Sequence, residues 1–204
     1  EPSWQPKSKF MCWMKNPKLA RITARYAPAS GELALAADRF GAVSSDIRTA
    51  EGRAKVESWL ASFMGDEQEG PLRVLSAPGH SFSDGNAKVL SLINLASLAD
   101  LADGHDFSLD PRRFRANLYI DGLAPWAESE WIGQTVTVGG AARLRVVRPI
   151  RRCPATQVDP TRGVRDIETL RLLHERRGNL FCGVYAEVIA PGEVRIGDPM
   201  TVVD

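Results

Sequence analysis

The chain has 204 residues, 44% of them hydrophobic and 25% charged, a make-up that suits a soluble globular protein and argues against extensive disorder. Its 26 basic and 25 acidic side chains leave a net charge of +1, which supplies no global field for a nucleic-acid backbone. No apolar run approaches the ~18 residues of a transmembrane helix, so neither nucleic acid nor a membrane is expected as a partner.

The length suits one large domain or two small ones. Cys12, Cys153 and Cys182 form no CxxC pair and no zinc spacing. An odd number without a framework points to free thiols in a reducing compartment, and so to a cytoplasmic location. No charged segment followed by an apolar one marks a signal peptide.

In chain order, residues 1–20 mix Trp4, Phe10, Trp13 and Met14 with lysines and with Pro2, Pro6 and Pro17, which interrupt any helix. Residues 20–26 and 32–36 alternate around Pro28-Ala29-Ser30-Gly31 and predict a hairpin. From Glu51 the period changes. Val56, Trp59, Leu60, Phe63 and Met64 line one face of an amphipathic helix that stops before Gly65. Residues 66–70 read as an acidic loop, 73–75 as a short strand and 79–88 as a polar loop. A second helix follows Asn94, with Leu95, Leu98 and Ala102 inward, and ends near Gly104.

Beyond the arginine-rich segment 112–117, strands are predicted at Leu118–Ile120, Thr135–Val138 and 143–147, the last two joined as a hairpin through Gly139-Gly140. A third helix is expected over 167–176, with Asp166 as N-cap and Gly178 just past its end. Short strands over 184–189, 194–196 and Met200–Val203 close the chain. Many short strands with a few helices predict an α+β fold built on a mostly antiparallel, twisted β-barrel sheet.

Familiar catalytic motifs are absent: the sequence has no Walker A loop, GxGxxG, HExxH or GxSxG. His80, His105 and His174 stand without i+4 partners, Gly79-His80-Ser81 reads as a solvated turn, and His174 as a surface residue. Cys153 differs, because Arg148, Arg151 and Arg152 precede it closely. Nearby guanidinium charge favours the thiolate, which is the nucleophilic and metal-binding form; the alternative for a lone cysteine is a small buried hydrophobe. Arg112, Arg113 and Arg115 either grip a phosphate through paired N–H groups or form a solvated basic face. Two arginine-flanked segments, one carrying a thiol, together suggest an anionic cofactor with a soft metal.

The runs Leu90-Ser91-Leu92-Ile93-Asn94-Leu95-Ala96-Ser97-Leu98, Arg113-Phe114-Arg115-Ala116-Asn117 and Arg151-Arg152-Cys153-Pro154-Ala155-Thr156-Gln157-Val158-Asp159-Pro160 resemble the MOSC domain family, named for the C-terminal domain of molybdenum cofactor sulfurase. Gly183-Val184-Tyr185-Ala186-Glu187-Val188 and the closing Gly197-Asp198-Pro199 extend the resemblance over roughly residues 80–204. It implies a twisted β-barrel core carrying a pterin-based molybdenum cofactor, with residues 1–75 as a remnant of the family's N-terminal region and 76–204 as its core. In the reductase branch, which includes the mitochondrial amidoxime reducing component, one cysteine of the stretch matched by Cys153, Thr156, Asp159, Thr161 and Gly163 is a molybdenum ligand. The resemblance therefore assigns Cys153 as metal ligand and catalytic residue. It assigns Arg115 and Asn117 to the cofactor's phosphate and pterin, and Ser91, Arg113, Thr156, Asp159, Tyr185 and the Ser83-Asp84 loop to its surroundings.

The implied reaction is two-electron reduction of a small N-hydroxylated or N-oxide compound. Electrons would come from an external donor protein with a flavin or iron–sulfur centre, since the sequence has no cysteine-rich ferredoxin segment. The alternative is a non-catalytic domain that carries the cofactor, or sulfur as a persulfide on Cys153, to another enzyme. A domain that binds only a partner protein has no use for Arg115, Asn117 and Cys153 together. Pyridoxal phosphate binding is a further property associated with the resemblance.

The sequence departs from the family pattern at Ala116, where relatives have proline. Longer relatives also place ahead of this region strands with a lysine–serine pair after a proline. Lys7-Ser8 follows Pro6 but precedes Asn16-Pro17-Lys18-Leu19-Ala20, the wrong order, and reads as coincidence. Those strands are expected to be missing, or the cofactor to be held by fewer contacts. Cys182 is expected to be a buried thiol. Trp126, Trp131 and the loop 121–125 are expected either to border a substrate pocket or to cap the sheet.

Overall fold

A computed structural model describes residues 5, 9–76, 78–79 and 87–203. Lys7-Ser8, His80, Ser81 and the Ser83-Asp84 loop lie outside the described residues. The chain divides into two compact units, Glu1–His80 with Val158–Arg165, and Ser81–Gln157 with Asp166–Asp204.

In the first unit, β1 (Ile22–Ala27), β2 (Glu32–Ala37) and β3 (Gly41–Asp46) form an antiparallel sheet in that order. The predicted hairpin is β1–β2. The third strand carries only Val43 as a buried apolar side chain, which leaves too weak an alternation for sequence reading to find. Helix α1 (Ala50–Met64) starts where Thr49 accepts a hydrogen bond from the Gly52 N–H at 3.0 Å, and it stops at Gly65 as predicted. Val56 packs on Leu35 and Val43, so α1 covers one face of the sheet. Residues 73–75 are not a strand: the Val74 N–H donates to Glu57 of α1 at 2.9 Å instead of to a neighbouring strand.

The second unit contains β4 (Leu90–Asn94), α2 (Leu95–Ala102), β5 (Leu118–Ile120), β6 (Thr135–Val138), β7 (Ala142–Arg151), α3 (Thr169–Arg177), β8 (Phe181–Ala190) and β9 (Met200–Val203). These make one six-stranded sheet in the order β5-β4-β8-β7-β6-β9, antiparallel except for the β4–β5 pair. The α+β class and the mostly antiparallel sheet match the expectation. The closed barrel does not: β5 and β9 are edges that pair with one neighbour each among the described residues, and at three and four residues they are too short to close the ring.

One face of this sheet buries Leu92, Val136, Leu144, Val146, Val184 and Ala186. A second core joins Ile93, Leu98 and Leu101 to Phe114, Leu172, Leu173 and Cys182, packing α2 and α3 against the sheet. Strand β4 is buried on both faces, so it lacks alternation and is invisible to a period-two search. Helix α3 begins at Thr169, not 167, and Asp166 does not cap it, because the Asp166 carboxylate is bound to Arg113. Gly178 does end it, at φ 68°. No strand forms at 194–196, where Arg195 instead turns back to Asp198.

The aromatic residues cap the cores. Trp131 is buried in the first, and Trp126 packs against the second, with its indole N–H donating to Asp100 at 2.7 Å and Arg177 over its ring at 4.6 Å. Beneath them the wholly buried Glu128 accepts hydrogen bonds from Ser97 at 3.0 Å and Asn94 at 3.1 Å. Asn94 also caps α2 through the Ala96 N–H.

Candidate functional site

Strand β7 starts with alternating buried and exposed residues, and its pairing with β8 is irregular at three places, between Arg143 and Leu144, between Val146 and Arg148 and between Pro149 and Arg151. Bulges of this kind bend a strand and re-aim its side chains. The strand then ends, and Cys153 stands at its mouth, half-buried, just before a 3-10 turn at Pro154–Gln157. The Thr156 N–H and hydroxyl both donate to the Cys153 carbonyl, at 3.1 and 3.0 Å. The same hydroxyl lies 2.6 Å from that of buried Thr169, so the cysteine turn is tied to the first residue of α3.

A second 3-10 turn, Pro111–Phe114, packs against the first. Arg113 is 4% exposed and grips Asp166 with both terminal nitrogens, at 2.7 and 2.9 Å, while donating to the Gln157 carbonyl at 3.2 Å. This geometry makes Arg113 a brace between the two turns. Arg112 is exposed and pairs with Asp110, whose carboxyl is held below its ordinary range by hydrogen bonds from Arg112. Arg115 follows in the left-handed region at φ 49°, uncommon for a residue with a side chain, and is exposed.

Arg152 links the two turns. Its guanidinium donates to the Cys182 carbonyl at 2.8 Å and to the Phe114 carbonyl at 3.0 Å. The residue before Cys153 thus fixes the residue before Arg115. From the sequence alone, Arg148, Arg151 and Arg152 are expected to supply charge around the thiol. In the fold Arg152 is a clamp on main-chain carbonyls, and Arg148 lies over the Tyr185 ring at 4.4 Å.

Ser91, Asn117 and Tyr185 come together on the sheet. Ser91 opposes Tyr185 across β4–β8, and Tyr185 opposes Arg148 across β7–β8. The Ser91 N–H and hydroxyl both donate to the Asn117 side-chain oxygen at 2.9 Å, and the Asn117 N–H donates back to the Ser91 hydroxyl at 3.0 Å. Ser91, Tyr185 and Arg148 therefore run in one row across β4, β8 and β7, with Asn117 bonded to Ser91 just ahead of β5. Tyr119, which sequence reading did not single out, accepts from the Ala116 N–H and donates to the Pro111 carbonyl, both at 3.2 Å. A proline at 116 would have no N–H for this contact, so the departure from the family pattern is matched by a tyrosine brace.

Seven of the eight predicted site residues belong to the second unit; Asp159 falls in Val158–Arg165, grouped with the first. Burial raises its carboxyl, but the backbone N–H groups of Arg162 and Thr161 and the Arg162 side chain more than offset this and bring it down to about 2. Those contacts, at 2.7, 2.8 and 2.9 Å, make the Asp159 carboxylate the cap of its own loop. Cys182 is a buried thiol as expected, and burial pushes it up to about 12. It packs as a hydrophobe, not as a thiolate. A shallow apolar depression on the first unit's sheet, lined by Thr23, Arg25, Ala34, Ala36, Ala42 and Ser44, contains none of the predicted residues.

Among the described residues no three His, Cys, Asp or Glu side chains converge on a metal position, and no helix is long and apolar enough to cross a membrane. Residues 79–201 match the MOSC domain, and the chain belongs to that family. It is 34% identical over 129 residues to molybdenum cofactor sulfurase 2 of Culex quinquefasciatus, covering 55% of this chain and 17% of that protein. It is 32% identical over 132 residues to mitochondrial amidoxime-reducing component 1 of Mus musculus, covering 59% and 37%. A molybdenum cofactor sulfurase of Danio rerio is 28% identical over 168 residues, with 68% of this chain and 19% of that one covered. The chain spans well under half the length of these relatives.

Proposed function

We propose that the second unit binds a pterin-based molybdenum cofactor and that the protein reduces small N-hydroxylated or N-oxide compounds with electrons from a partner protein. The observation that carries this reading is the Arg152 clamp, which ties the segment of a half-buried thiol to that of an exposed arginine on two packed turns. The donor set fits the group. A thiolate suits a soft metal, an arginine fork suits a phosphate, and the single thiol leaves the metal's other ligands to the cofactor. Relatives named for the molybdenum cofactor and for amidoxime reduction support the same reading.

Cys153 would hold the metal and Arg115 the phosphate, with Ser91, Asn117 and Tyr185 lining the pterin side. When bound, the cofactor supplies two-electron chemistry, by which an N-hydroxylated compound, two electrons and two protons become an amine and water. Thr156, Thr169, Arg113 and Arg152 would act as positioning residues: Thr156 holds the Cys153 carbonyl, Thr169 the Thr156 hydroxyl, Arg113 the Gln157 carbonyl at the end of the cysteine turn, and Arg152 the Phe114 carbonyl beside Arg115. In this reading Asp159 orders its loop and touches no cofactor. No lysine stands among these residues to attach pyridoxal phosphate, and the proposal leaves that group out. A reducing, cytoplasmic setting belongs to the same reading, because it keeps the thiol at 153 reduced.

The test is molybdenum per chain, by elemental analysis of protein made in cells that synthesise the cofactor. Near-stoichiometric metal is expected, lost in Cys153→Ser and reduced in Arg115→Ala, with N-oxide reduction driven by reduced methyl viologen. Metal without turnover would favour the carrier alternative. Full metal in Cys153→Ser would sink the ligand assignment.

A further inference from the structure

Many arginines of the chain are matched to acids: Arg48 to Asp46, Arg112 to Asp110, Arg113 to Asp166, Arg162 to Asp159, Arg176 to Asp100 and Arg195 to Glu193. Strand β7 is different. Arg143, Arg145, Arg148 and Arg151 are all exposed. The side chains of Arg143, Arg145 and Arg151 make no hydrogen bond or ion pair among the described residues, and Arg148 rests on the Tyr185 ring.

The pairing register puts Arg145, Arg148 and Arg151 opposite Glu187, Tyr185 and Phe181 of β8. The irregularity after Val146 widens the arginine spacing from two residues to three while Arg148 stays exposed. The row spans about 25 Å at ~3.3 Å per residue, and it ends two residues before Cys153. Glu187 is the acid facing it from β8, and it forms no ion pair with Arg145 among the described residues. Phe181, opposite Arg151, is 39% exposed, and Ile189, two residues beyond Glu187 on the same strand, is 51% exposed.

A row of solvated charge held at this density, in a chain whose net charge is only +1, repels itself and needs an opposing surface. Arginines beside exposed apolar side chains are the mixture found at protein interfaces, whereas a nucleic-acid site draws on a wider basic field. We infer that the exposed face of β7 is the docking surface for a small acidic one-electron carrier protein of the flavin or iron–sulfur class. The inference rests on the proposed reduction, which consumes two electrons and two protons for each N–O bond broken. Each docked carrier gives up one electron and leaves oxidised, so two dockings match one turnover. Charge steering without a large buried area suits such a short encounter.

The test uses the full chain and the Arg143→Glu/Arg145→Glu variant, since neither residue belongs to the cofactor site. Binding of an acidic flavodoxin and of an acidic [2Fe–2S] ferredoxin is measured by stopped flow and calorimetry at low and physiological salt. The wild type should bind at least one of them with an association rate that falls as salt rises. The variant should lose about 10- to 100-fold in that rate while keeping its molybdenum and its methyl-viologen-driven turnover. Unchanged binding in the variant, no binding of either carrier to the wild type, or preference for an RNA oligomer would each overturn the inference. Methyl viologen needs no docking surface, so absence of metal or turnover in the wild type counts against the proposed function, and the binding assay still reads the surface.

Discussion

Arg152 shows how one side chain can serve a site through the main chain. It is the neighbour of Cys153, and its guanidinium donates to the carbonyls of Phe114 and Cys182. Both of those residues are buried, so Arg152 supplies their carbonyls with a donor away from water. Replacing it with the similarly long Met removes the donors and keeps much of the packing. Arg152→Met should lower stability by about 2–4 kcal/mol, read from the urea midpoint, and should reduce bound molybdenum even in protein that remains folded. Retention of full metal would separate the clamp from the site. Tyr119 and Thr169 act in the same manner at smaller cost, each satisfying main chain or hydroxyl groups that position the two turns.

Strands β4 and β8 are brought unusually close at one point. Gly183 has φ 76°, and a Cβ there would run into the Leu92 carbonyl and the Ile93 side chain. The left-handed region costs an L-residue roughly 1–2 kcal/mol, and the overlap with backbone adds to it. Gly183→Ala should therefore destabilise the protein by at least about 3 kcal/mol, which a denaturant titration would measure. The same contact seats Tyr185 opposite Ser91, two residues further along β8. An irregular strand thus sets the row of polar groups on the sheet, much as the breaks in β7 set its row of arginines.

Across the molecule, arginine–aspartate pairs govern the response to acid. Asp100, Asp110 and Asp159 have carboxyls below the ordinary range, through the hydrogen bonds of Arg176, those of Arg112, and, against the pull of burial, those of the 161–162 peptides and Arg162. A depressed folded value means that the contribution is fully present above the unfolded value, about 4, and is lost as pH falls through the folded one. The urea midpoint should hold steady from neutral pH to about pH 4–5 and then decline toward pH 2. Asp159→Asn should be less stable at neutral pH and should show a shallower decline. An equal slope in that variant would mean that the Asp159 loop does not carry its share.

How much of this was readable in the residues follows from the range of each interaction. Helices α1 and α2, the β1–β2 and β6–β7 hairpins and the Gly178 stop rest on local periodicity, caps and turn residues, all within a few positions of one another, and they appear where the pattern puts them. The family is carried by ordered short motifs and is likewise a property of the sequence. The pairing of Arg113 with Asp166, 53 positions away, and the reach of Arg152 to Phe114 over 38 positions are not local. They depend on which turns pack together, and no local pattern marks Arg113 as a brace or Arg152 as a clamp on main chain. The open sheet in place of a closed barrel has the same origin, because closure depends on whether two edge strands meet, and no alternation within either strand records that.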